Sequence, residues 1–291
     1  MSAMHAANRG EDAMMGRLMG SLAAEVLKLR KRRATWALGG LLVLSMAAGH
    51  YLAYTAWLAS LESGAPERVA VTKWWLLPEN AAPLVVDTVG FIAGPIALIL
   101  GALVGGSEYG WNTLKTILTR RAGRSGVLLG KGLGLGVLVA AVVPVIFAAG
   151  FGLSLLTAGT IDAPWRTPGA WPLLGAMVAA WLILAAWGMV GLALGVVFRG
   201  TTFAVGLGLG YALAIEFAIR GMVSAEQGLM ANVRDALIGA NASAPARSFV
   251  PDVVAEAPVE IGSGRAVLTL IIYIIGSLWV AWIVFQQRDI Q

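Results

Sequence analysis

The chain has 291 residues, of which 58% are hydrophobic and 13% charged, with a formal net charge of +5. A soluble domain carries roughly 25% charged residues, so a water-soluble core is excluded and lipid must solvate most of the surface. There is no cysteine, and His5 and His50 are the only histidines, which excludes disulfides, thiolate chemistry and a multi-histidine metal centre.

Residues 1–14 read as a disordered polar tail. Residues 15–35 have the pattern of an amphipathic helix. Met15, Leu18, Met19, Leu22, Val26 and Leu29 form one stripe, and Arg17, Ser21, Glu25, Lys28 and Arg32 form the other. Such a helix lies in the membrane interface with its basic face toward lipid headgroups. The remainder, 36–291, reads as a transmembrane domain. At a rise of about 1.5 Å per residue, about 20 apolar residues cross the hydrocarbon layer. Six segments qualify: about 36–58, 84–105, 127–157, 170–197, 202–221 and 266–286. The fold class is therefore an all-α polytopic membrane protein.

Lysine and arginine set the direction. With the N-terminus inside, 14 of the 21 basic residues fall on the cytoplasmic side, among them Lys28 to Arg33, Arg120, Arg121, Arg124 and Lys131. An even number of spans places the C-terminus inside too. Trp57, Trp74, Trp75, Trp165 and Trp171 then fall at the outer interface, where amphipathic rings settle. The outer segment 222–265 is long. Leu229, Met230, Val233, Leu237 and Ile238 have helical spacing, which predicts a short helix on or dipping into the outer leaflet.

Between the second and third spans lies a polar island, GGSEYGWNTLKTILTRRAGRSGVLLGKG at 105–132. Trp111, Leu114, Ile117 and Leu118 recur at helical spacing among the charges. Ser107 is placed to cap this helix and Glu108 to sit near its positive end. A turn that only reverses the chain needs a few residues; about 20 with helical order make a docking surface.

Other motifs have plainer readings. GKGLGLG at 130–136 fails as a nucleotide loop, because Ser125 stands where the first Gly is needed and Gly132 where Ser or Thr is needed. Small residues let helices approach in lipid, and Gly132/Gly136, Gly191/Gly195 and Gly206/Gly210 are GxxxG pairs. Glu216 and Arg220, four residues apart in the fifth segment, either neutralise each other near its outer end or line a substrate path. Asp87 reads as an interfacial helix-start residue, and His50 as a packed, hydrogen-bonded side chain.

The order span, Gly-Gly-Ser107-Glu108-Tyr109, Trp111, Thr113-Leu114, Leu118-Thr119, basic turn, Lys131, long span resembles the type-2 permease family of ABC exporters. Glu25-x-x-Lys28-Leu29-Arg30 resembles that family's connecting helix, to which Arg32 also belongs. One departure is Asn112, where many relatives have Gly.

The resemblance implies a permease subunit that forms a pathway as a homodimer or heterodimer. It implies two copies of a separate ATPase docked on a coupling helix carrying Ser107, Glu108, Tyr109, Trp111, Thr113, Leu114, Lys115 and Leu118. It implies no cofactor on this chain, ATP and Mg being used by the partner. The site is a bacterial cytoplasmic membrane, with the lipid bilayer as a partner and no nucleic acid. Gly206/Gly210 is then a candidate subunit contact, and Glu216 and Arg220 candidates for the pathway or interface. The alternatives are a proton-coupled secondary transporter using Glu216 or Asp87, and a non-transporting scaffold or assembly factor.

Overall fold

The structure, a computed structural model, describes residue 16 and residues 19–110, 124–216, 218–219, 229–247 and 261–287. Helix α1 covers 19–31 and stops at Arg32, whose extended backbone (φ −86°, ψ 120°) redirects the chain into α2, Arg33–Ser63. Gly64 ends α2 in the left-handed conformation (φ 65°), which costs glycine nothing, and its N–H bonds Leu61 O. Pro66 then opens α3, Pro66–Leu76.

The second long helix is composite. A 3₁₀ turn at Pro78–Asn80 leads into α4, Ala81–Thr88, a π-helical turn at Val89–Ala93, and α5, Gly94–Gly110. Then come α6, Arg124–Thr160, and α7, Ala170–Val197. A tight turn carries the chain into α8, Thr201–Leu209, which continues as a second π-helical segment, Gly210–Ile215. Two short helices follow, α9, Leu229–Ala236, and α10, Ile238–Arg247, before α11, Ser263–Gln287.

Among the described residues, five helices are long and apolar enough to cross a membrane: Arg33–Ser63, Pro78–Tyr109, Ser125–Thr160, Ala170–Val197 and Ser263–Gln287. The fifth of the six apolar segments forms a shorter apolar helix, Thr201–Ile215. The chain is a multi-pass, all-helical membrane protein.

The centre of the bundle is the α5–α7 seam, and glycine makes it. A Cβ at Gly195 would lie 2.7 Å from Ala102 O, and one at Gly191 2.9 Å from Ala102 N. The facing Gly101 and Gly105 abut the backbone of Gly188 and Leu192. With no hydrophobic drive between helices in lipid, this backbone contact supplies the dispersion energy that holds them. Trp187, Ile183, Leu184, Leu98 and Leu100 fill the space around it.

Helix α10 packs inside the bundle rather than on its surface. Residues Ile238 to Ala242 are all buried, and α10 meets α4, α7, α11 and the first π segment.

Candidate functional site

Helix α1 lies on α6. Gly130 and Gly134, one turn apart on α6, make the groove that receives it. A Cβ at Gly130 would meet Ser21 Cβ at 2.8 Å, and one at Gly134 would meet Glu25 Cβ at 3.1 Å. Gly132 faces the opposite way, toward Leu278 and Met189, and Gly136 faces Trp181, whose Nε1 donates to Gly136 O at 3.0 Å. The alternating glycines of GKGLGLG therefore seat helices on two sides of α6, which is the packing role expected of them.

This close approach brings four charges together. Lys28 Nζ donates to Glu25 Oε1 and to Glu108 Oε1, both at 2.6 Å. Lys131 Nζ lies 3.0 Å from Glu108 Oε2 and 3.9 Å from Glu25 Oε1, and donates to Val104 O at 2.9 Å. Arg32 extends the set, its Nη1 donating to Leu103 O at 3.2 Å and to Ser107 Oγ at 3.1 Å. Glu25, Glu108 and Lys131 retain only 6%, 5% and 3% of their exposure. Two carboxylates and two ammonium groups balance, which is the condition for keeping such charges away from water.

This corrects the reading of α1 as a helix with its charged face on lipid headgroups. Glu25 is buried and Lys28 and Arg32 reach protein partners, whereas Met19 and Val26 of the supposed apolar stripe are exposed. Ion pairing outweighs amphipathic orientation because buried counter-charges are available on α5 and α6. Burial works against the charge on Lys28, but its hydrogen bonds and attractions to Glu108 and Glu25 together outweigh it and raise its pKa.

A second correction concerns Ser107 and Glu108. They do not start a new helix; with Tyr109 they lie in the last turns of α5, which runs through Gly105 and Gly106 without a break. These glycines stay helical because they are packed, Gly105 on Leu192 and Gly106 on the α7–α8 turn, where its Cβ would lie 2.7 Å from Gly200 C. The buried Glu108 carboxylate depends on Lys28 and Lys131 for its counter-charge.

Trp111, Thr113, Leu114, Lys115 and Leu118 lie outside the described residues, as do Arg220 and the tail at 1–14. Ser125 lies in the first described turn of α6. Its hydroxyl accepts from Trp282 Nε1 at 3.1 Å and Gln286 Nε2 at 2.8 Å, fastening the end of α11 to α6.

At the other end of the bundle, Glu216 is buried and accepts a hydrogen bond from Gly239 N. That places it against α10, a contact with no signal in the sequence. Asp235 bridges Arg234 (2.9 Å) and Arg265 (3.3 Å), and Tyr273 Oη donates to Ala236 O at 3.0 Å. The bonds to Arg265 and Tyr273 anchor α9 to α11.

Asp87 is not a helix-start residue. It lies near the end of α4, exposed, on the wall of a cavity. His50 is buried, with Nε2 2.5 Å from Thr157 Oγ1. Gly206 and Gly210 have nothing among the described residues within 4 Å of where a Cβ would stand. Among the described residues no group of three or more acidic or histidine side chains is arranged to hold a metal ion.

The described residues form a long apolar helical bundle with α1 ion-paired onto it. The family model described as ABC-2 family transporter protein matches residues 19–290. The chain belongs to this family. An ABC-2 transporter protein is the membrane component of its system and carries no ATPase motif of its own. It has a transmembrane transport role and works with an ABC ATPase in the membrane. No curated protein sequence is significantly similar to the chain.

Proposed function

We propose that this chain is the permease subunit of an ATP-driven exporter in a bacterial cytoplasmic membrane, working as a dimer over two ATPase subunits. In this reading Thr201–Ile215, which is α8 with the second π-helical segment, belongs to the fifth of six spans, and both termini are cytoplasmic. The partner binds ATP and Mg; this chain binds neither. The ATPase docks on the polar island, within residues 107–119, and its stroke passes from there to the spans.

The observation that carries the reading is the ion-pair cluster of Glu25, Lys28, Glu108 and Lys131, in which all but Lys28 are buried. It joins the connecting helix to both ends of the polar island, Glu108 on α5 and Lys131 on α6. A push on the island is therefore transmitted to α1 and α6 through ion pairs that cannot stretch without exposing buried charge. Gly206 and Gly210, open on the surface of α8, are offered as part of the subunit contact.

The test is reconstitution with the neighbouring ATPase. Glu108→Gln and Lys28→Met should still bind the ATPase but lose stimulation of ATP turnover by cargo. Full coupling in both variants, or a chain that never associates with any ATPase, would sink the reading.

A further inference from the structure

Helix α1 turns one side to α6 and leaves the other uncovered. Ser21, Glu25 and Leu29 pack on the glycine groove of α6. Met19, Ala23, Val26, Leu27 and Arg30 are exposed, and their spacing puts them on one helical face. That face is apolar up to its basic end. The one acidic residue of α1, Glu25, is on the buried side.

The chain then bends at Arg32, and Arg30, Lys31 and Arg33 stand exposed around the bend. None of these three side chains has a hydrogen bond or ion pair among the described residues. Glu25 and Glu108, the carboxylates of the neighbouring cluster, are buried and already matched by Lys28 and Lys131. In the first turn of α2, Trp36 is 67% exposed, and its indole Nε1 donates to Arg30 O at 2.7 Å. This bond ties the elbow together and sets an aromatic ring beside the basic residues. Leu41, Leu44, Tyr51 and Leu52 continue the exposed apolar surface along α2, which is long and apolar enough to cross the membrane. On such a helix this surface meets lipid, so the elbow is continuous with the lipid-facing side of a span.

We propose that the α1–α2 elbow is a binding site for an anionic phospholipid, whose phosphate is held by Arg30, Lys31 and Arg33 and whose acyl chains pack against Leu27 and Trp36. Guanidinium groups match phosphate oxygens in pairs, and long basic side chains reach headgroup level along apolar surface. Tryptophan settles at that same depth. A helix with one apolar face lies with it sunk about 5–10 Å into the boundary between headgroups and acyl chains. The charges of α1 that face protein, Glu25 and Lys28, take no part. A zwitterionic lipid carries its own ammonium beside the phosphate and gains less from three cations than a lipid with net negative charge. The bound lipid braces α1 from outside while the ion pairs with Glu108 and Lys131 hold it from within. The site needs only the membrane-spanning fold, so it goes beyond the ATPase reading and does not rest on it.

The experiment uses the purified full chain with a fluorophore on Leu27→Cys, in nanodiscs of phosphatidylcholine with a minor fraction of phosphatidylglycerol. One lipid or the other carries brominated acyl chains, which quench the fluorophore on contact. Brominated phosphatidylglycerol should quench at several times its share of the lipid, since each basic group near an anionic surface is worth roughly a fivefold preference. In Arg30→Gln/Lys31→Gln/Arg33→Gln the quenching should fall to that share. Arg30→Lys/Arg33→Lys should keep the preference, and thermal unfolding checks that each variant is folded. Salt at about 1 M, where the screening length is about 3 Å, should remove the preference without any change to the three basic residues. A fluorophore that neither lipid quenches would place this face of α1 in water or against a protein. Quenching by both lipids in proportion to their shares would leave an apolar seat with no headgroup site. A preference that survives the triple substitution or high salt would put the selectivity elsewhere. Loss of the preference in millimolar inorganic phosphate, where sodium chloride of equal ionic strength spares it, would assign the cations to a soluble anion. Any one of these four results overturns the proposal.

Discussion

At the scale of single residues, the interest lies in charges that have left water. Removing one partner of a buried ion pair leaves the other uncompensated, at a cost of about 3–5 kcal/mol. Glu108→Leu and Lys131→Met should each destabilise the protein by about that much. The double variant leaves Glu25 paired with Lys28 and should cost clearly less than the sum of the two single changes. A double-mutant cycle on thermal or denaturant unfolding in nanodiscs measures this; strict additivity would mean the cluster is not one unit.

Lys28 gives a pH prediction. Its folded pKa lies above the unfolded value, so its contribution is present in full at and below the ordinary lysine value of about 10.4. It is lost as pH rises through the raised folded value. A fluorophore on Met19→Cys should report a docked α1 from neutrality up to that range and release only above it. Adding Lys28→Met should loosen α1 at every pH and remove the alkaline transition.

At the scale of elements, two kinds of glycine pair look alike in sequence and behave differently. Gly191/Gly195 presses on α5 backbone, whereas Gly206/Gly210 faces open space. Gly195→Val has to move backbone, a strain beyond the ~1–3 kcal/mol of ordinary overpacking, and should yield little monodisperse protein. Gly206→Val should leave the subunit folded and, if α8 is a subunit seam, lower the dimer fraction seen by size exclusion with light scattering.

The same scale shows what was legible. The described residues of all six apolar segments lie on helices, and GKGLGLG was readable as packing rather than phosphate binding. The Gly101/Gly105 repeat on α5 was visible in the sequence but was not singled out. That α1 buries Glu25 against α6 was not readable, because amphipathic periodicity says which residues share a face and not what that face meets.

For the whole molecule, the two ends differ in the chemistry they gather. One holds Glu25, Lys28, Arg32, Glu108 and Lys131 with the α7–α8 turn. The other holds Arg234, Asp235, Arg265 and Glu79 with the α2–α3 turn. The charge bias places the first end inside, and the cysteine-free chain makes that easy to check. A cysteine at Glu67 should react with an impermeant maleimide on intact cells, and one at Gln287 only after permeabilisation. The reverse pattern would invert the topology.

Composition and periodicity alone determined that lipid is the solvent, that the chain is helical, and where its apolar segments run. They did so because each reports a local energy: transfer of side chains from water and the 3.6-residue repeat. Only the tertiary structure decided that Lys131 and Glu108 pair within the bundle, that Glu216 meets Gly239, and that α10 packs among the spans. Those outcomes depend on which surfaces meet across 23, 27 or more residues of chain. A buried charge is tolerated only where a distant segment delivers its counter-charge.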